Sequence, residues 1–148
     1  MIGRESGHSG TLAHRRDGSP RIGTAPEADN AAMSSIDVTA RQALSRTDSP
    51  FGSVGLMHAG SDLEAWWIWK DREEIEPSFS VMDREDLLYV VQGSLRLELE
   101  GRDPIVLEIG DLFVIPAGTP FRGSSWPRDG EPCQFIAVAP VGATFTRI

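Results

Sequence analysis

The side chains able to do chemistry are few in this sequence, and their spacing excludes more than it supports. There are three histidines, His8, His14 and His58, and one cysteine, Cys133. A single thiol forms no intramolecular disulfide and offers no cysteine cluster for zinc; it fits a reducing, cytoplasmic compartment. No histidine is spaced to activate Cys133, which reads as a small buried apolar residue rather than a nucleophile. There is no GxSxG elbow. Gly93 and Gly101 lie between strand-like runs rather than ahead of a helix, so they do not form a phosphate cradle. The carboxylates offer more. Asp86 follows Asp83-Arg84-Glu85 and heads the apolar run 87–92. On one reading it caps that turn. On the other it points into an apolar interior, where desolvation raises its pKa and makes it a general acid or base; a neighbouring Arg96 or Arg122 would oppose that shift. The single tyrosine, Tyr89, could hydrogen-bond a ligand or close one end of a barrel. The charged run 70–76, ended by Pro77, reads as a solvated loop.

The elements that must position these groups are short strands. From Ser53 onward, apolar runs alternate with turn residues every eight to twelve positions, the pattern of a sandwich or small barrel. The runs cover residues 54–58, 65–70, 79–82, 87–92, 95–100, 105–107, 112–115 and 133–139. Gly93 and Gly101 each stand between two runs, as in tight hairpins. Leu95, Leu97 and Leu99 alternate with Arg96, Glu98 and Glu100, so the leucines face a core. The same alternation separates Trp67 and Trp69 from Trp66 and Ile68. One of these faces lines the interior and the other needs a cover, for which a second subunit is the expected source. Prolines 116, 120, 127 and 132 exclude a useful helix from the second half. Residues 38–46 read equally well as a short helix or an extended lead-in.

The chain has 148 residues, room for one packed core. No apolar window is long enough to span a membrane. Fourteen basic against 22 acidic residues give a formal charge of −8, the wrong sign for a nucleic-acid partner. A small organic partner fits better. Residues 1–35 are rich in Gly, Ser, Pro, Arg and Ala, without apolar periodicity, and read as a flexible low-complexity tail. They lack the apolar stretch of a secretory signal.

Two stretches resemble the cupin superfamily. Gly110-Asp111-Leu112-Phe113-Val114-Ile115-Pro116-Ala117-Gly118-Thr119-Pro120-Phe121 is similar to the second cupin motif, in which Gly, five residues, Pro-x-Gly, two residues, His, three residues and Asn follow in order. Gly110, Pro116 and Gly118 match. Asp86 to Gly93 resembles the tail of the first motif, an acidic residue followed after six positions by Gly. The resemblance implies an all-β fold: a single cupin-type double-stranded β-helix, or jelly-roll barrel, over residues 36–148, with a disordered N-terminal tail. It also implies a metal site, and there the sequence departs from the pattern. Ser80 and Met82 (or Phe79 and Val81) stand at the first-motif histidine positions, Phe121 at the second-motif histidine and Ser125 at its asparagine. Only Asp86 remains as a ligand. A substitute set of His58, Glu85, Asp86 and Cys133 has no spacing to support it, so no metal and no other cofactor is expected.

The reading is a metal-independent barrel with an apolar, aromatic-lined pocket for a small, largely apolar organic ligand. Trp67, Trp69, Phe79, Ser80, Met82, Tyr89, Phe121 and Ser125 are the expected ligand-binding residues. Asp86 is the expected acid–base residue of an isomerase or cyclase that closes its substrate away from water. A non-catalytic ligand-binding or dimeric interaction module is the alternative, with a metal-dependent oxygenase of atypical ligands a second one. A homodimer is expected on either of the first two.

Overall fold

The computed structural model of the chain describes residues 38–71 and 76–148. The expected tail over residues 1–35 lies outside the described residues, as does the centre of the charged run, residues 72–75. A 3₁₀ turn, Arg41–Ala43, comes first, so the segment 38–46 is neither a regular helix nor a strand. Eleven strands follow among the described residues: β1 (Thr47–Ser49), β2 (Gly52–Ala59), β3 (Leu63–Lys70), β4 (Ser80–Met82), β5 (Asp86–Gln92), β6 (Ser94–Leu99), β7 (Ile105–Leu107), β8 (Leu112–Ile115), β9 (Phe121–Trp126), β10 (Cys133–Pro140) and β11 (Phe145–Arg147). No helix among the described residues is long and apolar enough to cross a membrane.

The strands form two antiparallel sheets. One has the order β1-β2-β3-β10-β5-β8 and the other β11-β4-β9-β6-β7. This is the expected double-stranded β-helix, a jelly roll. The period-two pattern decides what fills it. Leu95, Leu97 and Leu99 of β6 are buried while Arg96 and Glu98 are not. Facing them from the first sheet are Ile68, Leu88, Val90, Phe135 and Ala137. Each strand thus gives its odd or even set to one interior.

The two glycine turns differ. Gly101 joins β6 to β7, which pair antiparallel in a true hairpin. Gly93 does not: β5 pairs with β10 and β8, while β6 pairs with β7 and β9. Gly93 is a corner at which the chain leaves one sheet for the other. Its φ is +65°, and a Cβ there would stand 2.9 Å from the Pro132 carbonyl oxygen, so only glycine turns this corner without strain. The Gly110-Asp111 turn is fastened to β5 from both sides. Gly110 N–H donates to the Val90 carbonyl at 2.9 Å, and Val90 N–H donates to the Asp111 carbonyl at 3.1 Å. Gly118 N–H donates to the Met82 carbonyl at 2.8 Å, which ties the second glycine-rich turn to β4. These ties bring the two motif segments onto one interior.

Candidate functional site

Between the sheets lies a cavity of about 260 Å³. Its deep walls are apolar: Ile68 and Phe135 from one sheet, Leu95 and Phe121 from the other. Phe51, Ser49 and Phe145 stand at its less buried end. Three carboxyl side chains, Glu64, Glu76 and Asp86, contribute to this otherwise apolar lining.

Asp86 begins β5, where its backbone pairs with Ile115. Its side chain lines the cavity and is 8% exposed. It makes no hydrogen bond or ion pair among the described residues. Burial alone pushes its carboxyl up to about 7. The opposing arginines are occupied elsewhere. Arg122 binds Glu98 at 2.6 Å and lies over the Phe79 ring, and Arg96 lies over Trp126. Asp83, in the turn before β5, ties that turn to the β10–β11 connection: its Oδ1 accepts the Thr144 N–H at 2.7 Å and its own N–H donates to the Thr144 carbonyl at 3.0 Å. Of the two placements open from sequence, Asp86 takes the interior one.

Of the ligand-binding residues expected from sequence, Met82 and Phe121 line the cavity with Asp86. The rest lie elsewhere. The alternation on β3 is as expected, but the faces are reversed. Ile68 pairs with Phe135 and Trp66 with Ala137, so Trp66 and Ile68 face the cavity and Trp67 and Trp69 face out. The chain's own lead-in segment lies over the outward pair. Arg46 lies 4.3 Å above the Trp69 ring and Arg41 5.6 Å above Trp67. Trp67 Nε1 donates to Gln134 Oε1, which also accepts from Arg41. Phe79 is outside the lining beneath Arg122. Ser80 is buried opposite Phe121 in the β4–β9 pairing but does not reach the cavity surface. Tyr89 points outward from β5 between Ile136 and Leu112, 39% exposed. Ser125 has both its bonds satisfied locally, donating to the Glu131 carbonyl and accepting from Cys133 N–H. It fixes the turn into β10.

Sequence reasoning missed the Lys70–Glu76 pair. The run 70–76 reads as a solvated loop, yet Lys70 is 1% and Glu76 5% exposed, joined Nζ to Oε1 at 2.9 Å. A signal was present: the alternation that sets Trp66 and Ile68 inward sets Lys70 inward too. Burial raises the Glu76 carboxyl, and the Lys70 charge beside it lowers it again, less strongly. Cys133 is sealed in the core, its thiol pushed up to about 12 by burial, which removes it as a nucleophile at neutral pH.

A metal would need several nitrogen or oxygen donors converging on one point. Around Asp86 the cavity offers the Met82 thioether and the Phe121 ring instead. His58 is exposed on β2, Cys133 sits in the core, and no group of three or more His, Cys, Asp or Glu suited to a metal occurs among the described residues. The donor set does not fit a first-row metal.

Residues 73–139 match the family model for the cupin domain. No curated protein matches the sequence closely enough to count as a relative. Several solved structures share the fold. The polyketide cyclase RemF from Streptomyces resistomycificus superposes with a TM-score of 0.62 at 18% identity, over 77% of this chain and 86% of its own. KdgF from Halomonas sp. gives a TM-score of 0.59 at 24% identity, over 72% and 94%. The DMSP lyase DddQ from Ruegeria pomeroyi DSS-3 gives 0.52 at 18% identity, over 60% of this chain but 44% of its own, so the chain spans less than half the length of that enzyme.

Proposed function

We propose, from the premise that the chain belongs to the cupin superfamily, that it is a metal-independent barrel holding a small, largely apolar organic molecule, with Asp86 moving a proton on that molecule. One observation carries the reading: an isolated carboxyl, without an ion-pair partner, stands in an apolar cavity and titrates at about 7. A carboxyl with that pKa is present in both forms near neutrality, so it gives or takes a proton with little bias. As carboxylate it removes a proton from the substrate; as carboxylic acid it returns the proton at a second atom. The net change is an isomerisation, or a ring closure where the intermediate carbanion or enolate adds to a carbonyl carbon of the same molecule, opening its C=O π bond to an alkoxide that takes the proton back from Asp86. The apolar walls keep water from quenching the intermediate. The fold shared with a polyketide cyclase is compatible with that class.

The test uses a generic proton-transfer probe, 5-nitrobenzisoxazole. Loss of its C3 proton to a base breaks the N–O bond and releases a coloured phenolate. The wild-type chain should accelerate this reaction, with the rate rising through pH about 7 as Asp86 ionises. Asp86→Asn should remove the acceleration, about a hundredfold or more for a positioned base. Binding, followed by quenching of the cavity residue Trp66, should persist. Equal turnover in the Asn variant would overturn the assignment. Binding without turnover in the wild type would make the protein a carrier.

A further inference from the structure

We infer that Glu76 forms a second polar subsite in the cavity, one that accepts a hydrogen bond from a hydroxyl group on an otherwise apolar, uncharged ligand. This deepens the proposed function and rests on the cavity reading above.

The Lys70–Glu76 pair is buried, at 1% and 5% exposure. Lys70 Nζ engages Oε1 alone. Oε2 is buried with no hydrogen-bond partner, the one such side-chain oxygen among the described residues. A buried ion pair kept only for stability is expected to have its remaining lone pairs satisfied, because each one left bare costs the full desolvation of that group. Here the surroundings hold Glu76 in place while leaving that oxygen bare. Its own N–H donates to the Gly123 carbonyl at 3.3 Å. Gly123 has no side chain to crowd the carboxyl: a Cβ there would come within 3.3 Å of Oε1. Glu76 and Gly123 both belong to the cavity wall, so the missing donor arrives from the cavity.

The charge balance selects the donor. Lys70 already neutralises Glu76 and the Arg147 charge acts on it as well, so a cationic ligand would meet two cations around one carboxylate. An anionic ligand would face Asp86 and Glu64 in the same lining. A neutral hydroxyl supplies one donor and no charge. The ligand class is therefore an alicyclic or aromatic molecule, small enough for about 260 Å³, that carries a hydroxyl group.

The test compares two probes that differ only in that group, 2-naphthol and naphthalene, binding to the full chain at pH 7 by calorimetry. The wild type should prefer 2-naphthol by about tenfold or more, the usual worth of a hydrogen bond to a charged acceptor. The double variant Lys70→Met/Glu76→Met removes both charges together, a change a folded core tolerates far better than removing one. It should keep its naphthalene affinity and lose the preference. Asp86→Asn should keep the preference, which separates the two carboxyl groups. Equal binding of both probes by the wild type, or a preference that survives the double variant, overturns the Glu76 subsite and leaves the cavity reading standing. A preference lost in Asp86→Asn but kept in the double variant overturns it too, and moves the acceptor to Asp86. Failure of both probes to bind the wild type overturns the subsite and the cavity reading together.

Discussion

Asp86 owes its raised pKa to burial without a partner, and that lack has a measurable consequence for stability. Its carboxyl titrates at about 7 in the folded chain against an ordinary 3.8, through burial alone. Below pH about 4 it is protonated in both folded and unfolded chains and carries no penalty. Between about pH 4 and 7 the unfolded chain releases the proton while the folded chain keeps it, so stability falls by about 1.4 kcal/mol per pH unit. Above 7 both forms are ionised and the penalty is complete, of order 4 kcal/mol. Asn at this position cannot ionise. Asp86→Asn should melt with the wild type near pH 4 and above it by roughly 10 °C at pH 8. A gap that does not widen with pH would show that Asp86 is solvated or paired. Residues of this kind were legible in the sequence only as alternatives. The apolar run after Asp86 is compatible with either orientation, and the walls of the cavity that buries its carboxyl, Phe121 and Phe135 among them, lie far along the chain. The Lys70–Glu76 pair was illegible for a different reason. Local charge density reads as solvation, and only the parity of β3 betrays that Lys70 turns inward.

At the scale of elements, most strands with large apolar side chains announced themselves, while β9 and the short β1 and β11 did not. The inward residues of β9 are Phe121, Gly123 and Ser125, and two of those three carry no apolar signal. A Cβ at Gly123 would come within 3.3 Å of both Glu76 and Leu95, and Ser125 holds the turn into β10, so the strand's composition follows its neighbours rather than its own propensity. The reversed faces of β3 have the same origin. Alternation separates Trp66 from Trp67, but only the register with β10 says which of them looks inward. The outward face is covered by the lead-in segment, and the closeness of that cover is testable at Gly55. A Cβ there would stand 3.0 Å from Leu44 Cβ and 3.0 Å from two atoms of the Trp69 ring. Arg46 lies over the same ring at 4.3 Å, so a shift of that ring displaces the guanidinium as well. Gly55→Ala should destabilise the fold by about 1–3 kcal/mol. Tryptophan emission should shift to the red as the segment lifts and Trp69 meets water. Unchanged melting and emission would mean that the segment does not rest on this face.

For the whole molecule, the sign of the charge and the lining of the cavity act together on what can enter. The chain carries a formal −8, and the cavity adds Glu64, Glu76 and Asp86 to its own walls. The two contributions separate by range. The net charge acts through solvent and is screened within about 8 Å at physiological salt. The cavity carboxyls act at contact distance in a medium that screens them far less. An anionic ligand of the same shape as 2-naphthol, 2-naphthoate, should therefore bind more weakly for two reasons with different signatures. Added salt should recover only the part due to the net charge. Lowering the pH from 8 to 6 should recover a further part, because Asp86, with its pKa of about 7, gains a proton over that interval while the naphthoate stays ionised. In Asp86→Asn the pH-dependent part should vanish and the salt-dependent part remain. A naphthoate affinity that matches 2-naphthol at pH 8, or that ignores pH in the wild type, would place the ligand away from Asp86 and remove the basis for assigning chemistry to this cavity.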